Sequence, residues 1–128
     1  MTTAYLDASA AMKLVVQERE SAALIAELAS SSRRLAASWL LHAELHCAAG
    51  RNPALIPLDA ISAVLDVVTL VDVTRGDILA AGTHAPLRSN DAIHLASAIR
   101  MGADELITYD GELARAATAA GLRVVAPG

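Results

Sequence analysis

The sequence is short of cysteine, aromatic residues and lysine, and each shortage narrows the class of protein. Cys47 is the only cysteine, so no disulfide can form within the chain and nothing indicates an oxidising compartment. Phenylalanine is absent, and aromatic residues make up 2% of the chain. The core must therefore be built from Leu, Ile, Val and Ala, which suit close packing of helices on a sheet.

Long apolar segments are also missing. Every apolar run is broken by a charge well short of the ~18 residues that a membrane span needs, and Asp66 interrupts the longest run. The chain does not open with a basic, then apolar, then small-residue segment, so we see no signal peptide. A length of 128 residues suits one domain. We therefore expect a cytoplasmic protein with a single domain, residues 1–128, and no membrane association.

Positive charge is scarce, with Lys13 the only lysine and a net charge of −4 at pH 7. Broad, non-specific binding of nucleic acid depends on Lys and Arg neutralising phosphates, so this balance disfavours it unless a bound metal inverts the local sign. No glycine-rich phosphate-binding loop is present, which disfavours a nucleotide cofactor. The candidate phosphate contacts are Arg33, Arg34, Arg51 and Arg88.

Strand patterns alternate with helix patterns along the whole chain. Strands are predicted over residues 2–6, 35–37, 67–73, 106–109 and 123–126. Helices are predicted over residues 8–16, 20–29, about 39–49, 57–65, a short stretch opened by Thr74 and Asp77, 91–101 and 111–120. In the third helix, Ser38 is the expected N-cap and Gly50 the expected end. The alternation predicts an α/β protein with a parallel sheet covered by helices on both faces, a three-layer α/β/α sandwich.

Two aspartates lie where predicted strands turn into helices. Asp7 follows the first strand and Asp110 follows a later one, and ligands of open α/β sheets bind outside the carboxyl ends of strands. Asp91 likewise opens a predicted helix. Since aspartate is a favoured N-cap, capping alone explains any one of these three residues. Glu44 instead lies in the middle of a helix, at the edge of its apolar stripe. The sequence leaves two interpretations of this residue open: a solvated position at the rim, or a partly buried carboxylate with a partner.

Convergence of these four acids would demand a cation. Two carboxylates ~4 Å apart repel by roughly 4 kcal/mol at an effective dielectric near 20, so four together would not all stay ionised. A divalent ion removes that repulsion, and an oxygen-only ligand set favours Mg²⁺ or Mn²⁺ over zinc.

Several segments, taken in order, resemble the PIN domains of VapC-type toxins. They are YLDASA at 5–10, AEL at 43–45, LRSNDAIHLA at 87–96 and TYDGEL at 108–113, followed by an Ala-rich helix, Gly121 and VVA at 124–126. Each segment alone is a weak signal, since an aspartate after a strand is common. The series is specific and covers nearly the whole chain.

The resemblance implies a five-stranded parallel sheet and an acidic pocket that binds Mg²⁺ or Mn²⁺. It also implies hydrolytic cleavage of single-stranded regions of RNA. The residues carried over are Asp7, Glu44, Asp91 and Asp110 as catalytic and metal-binding acids, with Ser9 and Thr108 as supporting hydroxyls. No acidic position is replaced. The implied partners are an antitoxin, whose helix would lie in an apolar groove with a basic side chain reaching the pocket, and a second copy of the chain.

Four other features carry alternative interpretations. His42, Glu44 and His46 superficially resemble a zinc-protease helix, but there the glutamate directly follows the first histidine. The two histidines are four residues apart and share one face of the helix, so the sequence leaves open the interpretation that they form an adventitious zinc site. His94 follows Asp91 by three residues, so a hydrogen bond near the pocket is open to it, but a structural histidine is the favoured interpretation. Cys47 is expected to be a small core residue.

Two other functions remain open at this level. Asp7 could be a phosphoacceptor, as in receiver or haloacid-dehalogenase-like domains. The latter place a second aspartate two residues on, where this chain has Ser9, and the former place a lysine late in the chain, whereas Lys13 is early. The third possibility is a PIN scaffold without catalytic activity, against which the presence of all four acids argues.

Overall fold

The structure, a computed structural model, describes all residues from Met1 to Gly128. In chain order its elements are β1 (Thr2–Leu6), α1 (Ala8–Val15), α2 (Ser21–Ser30), β2 (Arg33–Ser38), α3 (Leu40–Arg51), α4 (Leu58–Asp66), β3 (Thr69–Val71), α5 (Arg75–Ala81), α6 (Ser89–Arg100), β4 (Glu105–Ile107), α7 (Gly111–Ala119) and β5 (Arg123–Val125). Judged by length and hydropathy together, none of these helices could span a membrane.

The five strands form one sheet in the order β3-β2-β1-β4-β5, and every neighbouring pair is parallel. From β1 the chain moves outward through β2 to β3, then crosses to the other side of β1 and moves outward through β4 to β5. Because such crossovers are almost always right-handed, the helices of the first half cover one face and those of the second half cover the other. The predicted three-layer α/β fold with a five-stranded parallel sheet is confirmed.

The order of strands reverses direction between β1 and β4. At such a switch point the loops leaving the two strands part to opposite faces, which opens a crevice at their carboxyl ends. Leu6 pairs with Ile107 at the last rung, so Asp7 and Thr108 are the next residues on the two strands. The topology therefore brings two of the predicted site residues together without any further assumption.

The core is aliphatic, as the composition requires. A cluster of 21 buried hydrophobic residues is centred on β1, whose Ala4, Tyr5 and Leu6 are fully buried. Ala10 and Ala11 of α1 are also fully buried, because their small side chains let the helix approach the sheet closely. Tyr5 is the only aromatic side chain inside this core.

Two predicted boundaries of α3 are wrong. Ser38 does not cap the helix but ends β2, because its backbone N–H donates to the Tyr5 hydroxyl and the N–H of Trp39 still pairs with Val71 of β3. Trp39 occupies the N-cap position without a side-chain cap. Gly50 lies inside the helix rather than ending it, since a glycine tolerates helical backbone at modest cost.

Other boundaries shift for local reasons. The third strand was predicted over 67–73 but covers only Thr69–Val71, because the N–H groups of Val67 and Val68 bond back into the last turn of α4. The helix predicted from Asp91 begins at Ser89, with Arg88 as N-cap, so Asp91 lies within the first turn and caps nothing. The Thr74 and Asp77 start of α5 is confirmed as a reciprocal capping box.

A buried ion pair closes the opposite end of the sheet. Glu105, 1% exposed, accepts a 2.8 Å hydrogen bond from Arg33 Nε and is also contacted by Arg123. Arg33 makes a further 3.0 Å ion pair with Glu27. Arg33, one of the four candidate phosphate contacts, is therefore removed from that set, because its guanidinium is paired at the amino-terminal edge of the sheet, away from the crevice.

Candidate active site

Asp7 is the most enclosed of the predicted acids, with 2% of its surface exposed. Its Oδ1 accepts 2.9 Å and 2.8 Å hydrogen bonds from the Ala10 N–H and the Ser9 hydroxyl. Its Oδ2 accepts a 2.5 Å hydrogen bond from Thr108 Oγ1. Asp7 thus caps α1, as its position predicts, and it also holds the two hydroxyls that the sequence assigned to it as supports.

The same hydroxyls tie Asp110 to Asp7. Thr108 Oγ1 accepts from the Asp110 N–H at 3.1 Å, and Ser9 Oγ accepts from the Tyr109 N–H at 2.9 Å. Asp110 itself caps α7 by accepting from the Leu113 N–H at 2.9 Å. Because each hydroxyl both donates and accepts, the loops after β1 and β4 form one hydrogen-bonded unit.

Asp91 faces Asp110 across a small polar cavity. The cavity has a volume of about 190 Å³, and its lining consists of Arg88, Asp91, Asp110 and Glu112, with no hydrophobic side chain. Asp91 is half-buried in the first turn of α6. A half-buried carboxylate beside a second one is the arrangement that a cation would relieve.

The pKa values report the proximity of all four acids. Burial raises the pKa of Asp91, and the charges of Asp110, Asp7 and Glu44 raise it further. Burial also raises the pKa of Asp7, although the hydrogen bonds from Thr108, Ala10 and Ser9 oppose the rise. Each of these two carboxylates is therefore disfavoured in its charged form, which is the form that a metal requires.

Glu44 reaches the site from α3 with 20% of its side chain exposed. It is not a freely solvated rim residue, because His94 Nε2 lies 2.5 Å from its Oε1 and Asn90 Nδ2 lies 3.5 Å from its Oε2. Both donors belong to α6, the helix that also carries Asp91. Glu44 is thus tied to the helix of another predicted acid.

Sequence reasoning left a hydrogen bond of His94 near the pocket open, but it missed the partners Glu44 and Tyr5 and the contact of Asn90. His94 is fully buried, as expected of a structural histidine, but it also touches Glu44 on one side and the Tyr5 hydroxyl on the other, at 2.6 Å. The available signal was spacing: Asn90 and His94 are four residues apart and so share the face of α6 next to Asp91.

The donor set fits a hard divalent ion held by few carboxylates. No group of three or more His, Cys, Asp or Glu side chains is placed to hold one metal ion. Asp91 and Asp110, which share the polar cavity, match the one or two carboxylates that Mg²⁺ commonly takes while keeping several waters. Direct ligation by all four acids stays a prediction, with Asp7 and Glu44 adjoining the pair.

The remaining sequence motifs lie outside this site. His42 and His46 stack with ring centroids 4.1 Å apart, and His46 Nδ1 bonds to the His42 carbonyl, so they form a pair without a third ligand. Cys47 is exposed, so the expectation that it lies in the core is wrong. The buried positions of α3 are Leu41, Leu45 and Ala49, and Cys47 falls on the opposite side of the helix from Leu45.

Together the fold and the site define a parallel α/β protein with a carboxylate cluster at a topological switch point. The profile of the PIN domain family matches residues 4–119. Ribonuclease VapC46 of Mycobacterium tuberculosis is 39% identical over 141 residues, covering 99% of both chains. Ribonuclease VapC35 of the same species is 36% identical over 133 residues, covering 97% of this chain and 96% of that one.

Solved structures share the fold. A toxin–antitoxin complex from Klebsiella pneumoniae aligns with a TM-score of 0.73 at 20% identity, covering 98% of both chains. VapC20 of Mycobacterium tuberculosis, a toxin that cleaves the sarcin–ricin loop, aligns with a TM-score of 0.71 at 20% identity, covering 97% of this chain and 99% of that one. The chain belongs to the PIN domain family, among the VapC ribonucleases, as the sequence motifs predicted. Ribonucleases of this kind generally depend on a divalent metal.

Proposed function

We propose that the chain is an endoribonuclease that hydrolyses RNA phosphodiester bonds with Mg²⁺ or Mn²⁺ and acts as the toxin of a VapBC-type pair. The observation that carries the proposal is the gathering of the predicted acids at one switch point. Asp91 and Asp110 line one polar cavity, and Thr108 bonds to both Asp7 and the Asp110 N–H. This arrangement occurs in a chain whose relatives are ribonucleases. We propose that it acts in the cytoplasm, on the RNA and with the protein partner proposed here.

Each residue of the site has a role that its environment supports. Asp91 and Asp110 would hold a divalent cation, which would supply Lewis-acid activation of water and offset charge on the phosphoryl group. Asp7, fixed by Ser9 and Thr108, sets the position of Asp110 through the Thr108 hydroxyl. Glu44 completes the acidic rim from α3.

RNA approaches this rim with few basic contacts. Arg88 lines the polar cavity beside Asp91, so it is the best-placed side chain to meet a phosphate. Single-stranded or looped RNA is the expected substrate, because unstacked bases can enter a crevice that a duplex cannot. Because the protein has a net charge of −4, a bound cation would be needed to offset the repulsion between phosphate and the acids.

The antitoxin is proposed to occupy an apolar groove beside Glu44. The groove has a volume of about 510 Å³, and its apolar lining consists of Ala8, Met12, Leu40, Ala43, Leu45, Cys47 and Ala48. An amphipathic helix fits such a groove, and a basic side chain on it would meet Glu44. Related structures are toxin–antitoxin complexes, which favours this occupant.

A second copy of the chain is the other proposed partner. Ile78 and Leu79 of α5 are 51% and 67% exposed, and Ile78 borders an apolar depression that Leu87 and Ile93 also line. A homodimer would cover this face. Light scattering of the purified chain tests it, with a monomer at micromolar concentration as the contrary result.

The phosphoacceptor alternative is disfavoured by geometry. Both carboxylate oxygens of Asp7 accept hydrogen bonds from Ser9 or Thr108, and the residue is 2% exposed. A nucleophile must reach its substrate, and Asp7 is enclosed. A scaffold without catalysis remains testable by the experiment that tests the nuclease.

The test is cleavage of a labelled single-stranded RNA by the purified protein. Cleavage should stop in EDTA and return with Mg²⁺ or Mn²⁺, and Asp91→Asn should slow it by about 100-fold or more, since it removes a proposed ligand. Asp59→Asn, an exposed acid on α4, is the matched control and should cleave normally. Cleavage that persists in EDTA, or a fully active Asp91→Asn, would overturn the proposal.

A further inference from the structure

Glu44 stands at the end of a hydrogen-bonded chain that crosses the protein interior. The Ser38 N–H donates to the Tyr5 hydroxyl at 3.0 Å, the hydroxyl lies 2.6 Å from His94 Nδ1, and His94 Nε2 lies 2.5 Å from Glu44 Oε1. Ser38, Tyr5 and His94 are all fully buried. The chain therefore links β2, β1, α6 and α3, and only its Glu44 end is partly exposed to solvent.

The Glu44 carboxylate sets the direction of its hydrogen bond with His94. An ionised carboxylate only accepts, so His94 Nε2 carries the proton and donates it to Glu44 Oε1. A neutral imidazole protonated at Nε2 accepts at Nδ1, and the Tyr5 hydroxyl, whose oxygen accepts from the Ser38 N–H, is the donor there. The buried Tyr5 hydroxyl therefore stabilises the histidine tautomer that donates to Glu44.

Glu44 needs such a donor more than the other acids do. Asp7 and Asp110 cap helices, so backbone N–H groups at the start of α1 and α7 hold their carboxylates. Glu44 lies inside α3, where the backbone N–H groups are already used by the helix itself. A flexible glutamate in that position is ordered only by a neighbour, and α6 supplies it.

We propose that His94, oriented by Tyr5, is a positioning residue that holds the Glu44 carboxylate beside Asp91 for metal binding and RNA cleavage. The inference rests on the proposed function, which makes Glu44 a member of the metal site. His94 and Asp91 are both on α6, so a bond from His94 to Glu44 fixes the separation of the two acids. Asn90, 3.5 Å from the second oxygen of Glu44, restrains the carboxylate from the same helix.

Substitutions of His94 separate positioning from simple filling of the core. His94→Leu removes the donor, whereas His94→Gln keeps an N–H near the place of Nε2. We expect His94→Leu to weaken Mn²⁺ binding, measured by calorimetry without RNA, by about 10- to 100-fold, as loss of a ligand's hydrogen-bond partner typically does. It should lower kcat by a similar factor and leave KM for RNA unchanged. His94→Gln should restore both to within about 3-fold of the wild type.

A second pair of variants controls for stability. Ser97→Ala removes a buried hydrogen bond to Asp77 one turn further along α6, so it should lower Tm but leave Mn²⁺ affinity unchanged. Tyr5→Phe removes the hydroxyl and keeps the ring, and it should reduce Mn²⁺ affinity in the same direction as His94→Leu. If His94→Leu does not fold, Tyr5→Phe decides the question.

The outcomes distinguish this inference from the proposed function. Wild-type protein that neither binds Mn²⁺ nor cuts RNA contradicts the proposed function. A second outcome overturns the positioning role alone. In it the wild type is active and Glu44→Gln is inactive, but folded His94→Leu or Tyr5→Phe keeps the wild-type Mn²⁺ affinity and kcat. Nitrogen NMR of the His94 ring gives an independent readout: a proton on Nε2 supports the inference, and a proton on Nδ1 alone overturns it.

Discussion

The hydroxyl of Thr108 donates a 2.5 Å hydrogen bond to Oδ2 of Asp7, although the two residues are 101 positions apart in the chain. The bond joins the carboxyl ends of β1 and β4, the two strands between which the strand order reverses. Thr108 also accepts from the Asp110 N–H, so one side chain sets the spacing of two proposed catalytic acids. The crevice that the topology opens is thus shaped by hydroxyl groups on its floor.

Thr108→Val should therefore affect both stability and pH dependence. The variant removes the shorter of the two hydroxyl contacts to the buried Asp7 Oδ2 and leaves only Ser9 Oγ at 3.0 Å, which costs about 1–3 kcal/mol. The pKa of Asp7, already raised by burial, should rise further because the Thr108 bond opposes the rise. The acidic limb of the kcat profile should move to higher pH, and an unmoved limb would contradict this role. Thr118→Val, which loses an exposed hydroxyl on α7, is the control.

Asp91→Asn should stabilise the metal-free protein while abolishing cleavage. The folded-state pKa of Asp91 is raised above its ordinary value by burial and by Asp110. The contribution of Asp91 to the stability of the fold is therefore most favourable at pH values below the ordinary aspartate pKa, and it is lost as pH rises through the raised pKa. At pH 7 without metal, the variant should melt a few degrees above the wild type. The difference should vanish near pH 3. Added Mg²⁺ should raise Tm of the wild type only, because binding stabilises the state that binds. A lower Tm for metal-free Asp91→Asn at pH 7 would argue against repulsion at this site.

Arg33→Ala should destabilise the fold by about 3 kcal/mol, because it leaves the buried Glu105 carboxylate without its main partner. Burial alone would raise the pKa of Glu105, but the hydrogen bonds from Arg33 and Arg123 outweigh it and hold the pKa below the ordinary value. The stability that Glu105 contributes is therefore present at pH values above the ordinary glutamate pKa, and it is lost as pH falls through the lowered pKa. The penalty of Arg33→Ala, measured by urea denaturation, should be largest at neutral pH and shrink in acid. Arg34→Ala, the exposed neighbour on β2, should cost less than about 0.5 kcal/mol. Equal penalties for the two variants would contradict the buried pair.

Cys47 offers a direct probe of the apolar groove. It is exposed and lines the groove with Leu40 and Met12. An antitoxin helix in the groove should slow maleimide labelling of Cys47 by about tenfold or more, because the thiol is then covered. Prior labelling should in turn prevent complex formation, whereas Cys47→Ser should bind normally in the presence of reagent. Labelling at the same rate in the free chain and in the complex would place the partner elsewhere.

The sequence predicted the fold and the acids because those features have local signals. Asp7 and Asp110 each follow a strand and open a helix, so periodicity and capping place them at the carboxyl edge without tertiary information. The alternation of strands and helices likewise leads to a parallel sheet. The same patterns gave five strands, and the apolar stripe of its helix marked Glu44 as a candidate. Only the resemblance to a family assigned Glu44 to the site, since nothing near a glutamate within a helix shows which residue it contacts.

Contacts between residues far apart in the chain could not be predicted from the sequence. Glu44 and His94 are 50 residues apart and meet only because α3 and α6 approach at the crevice. Arg33 and Glu105 are 72 residues apart, so nothing near Arg33 showed that it was occupied. Cys47 was misplaced because its residue type is often buried, whereas the helix phase set by Leu41 and Leu45 turns it outward.

The most direct test of the central claim is anomalous diffraction from crystals of the protein equilibrated with Mn²⁺. The account predicts one or two Mn²⁺ peaks in the polar cavity, with Asp91 and Asp110 as ligands and with Asp7 and Glu44 bound to the ion directly or through water. A fully occupied peak at another place, such as the His42–His46 pair, with none between Asp91 and Asp110, would contradict it.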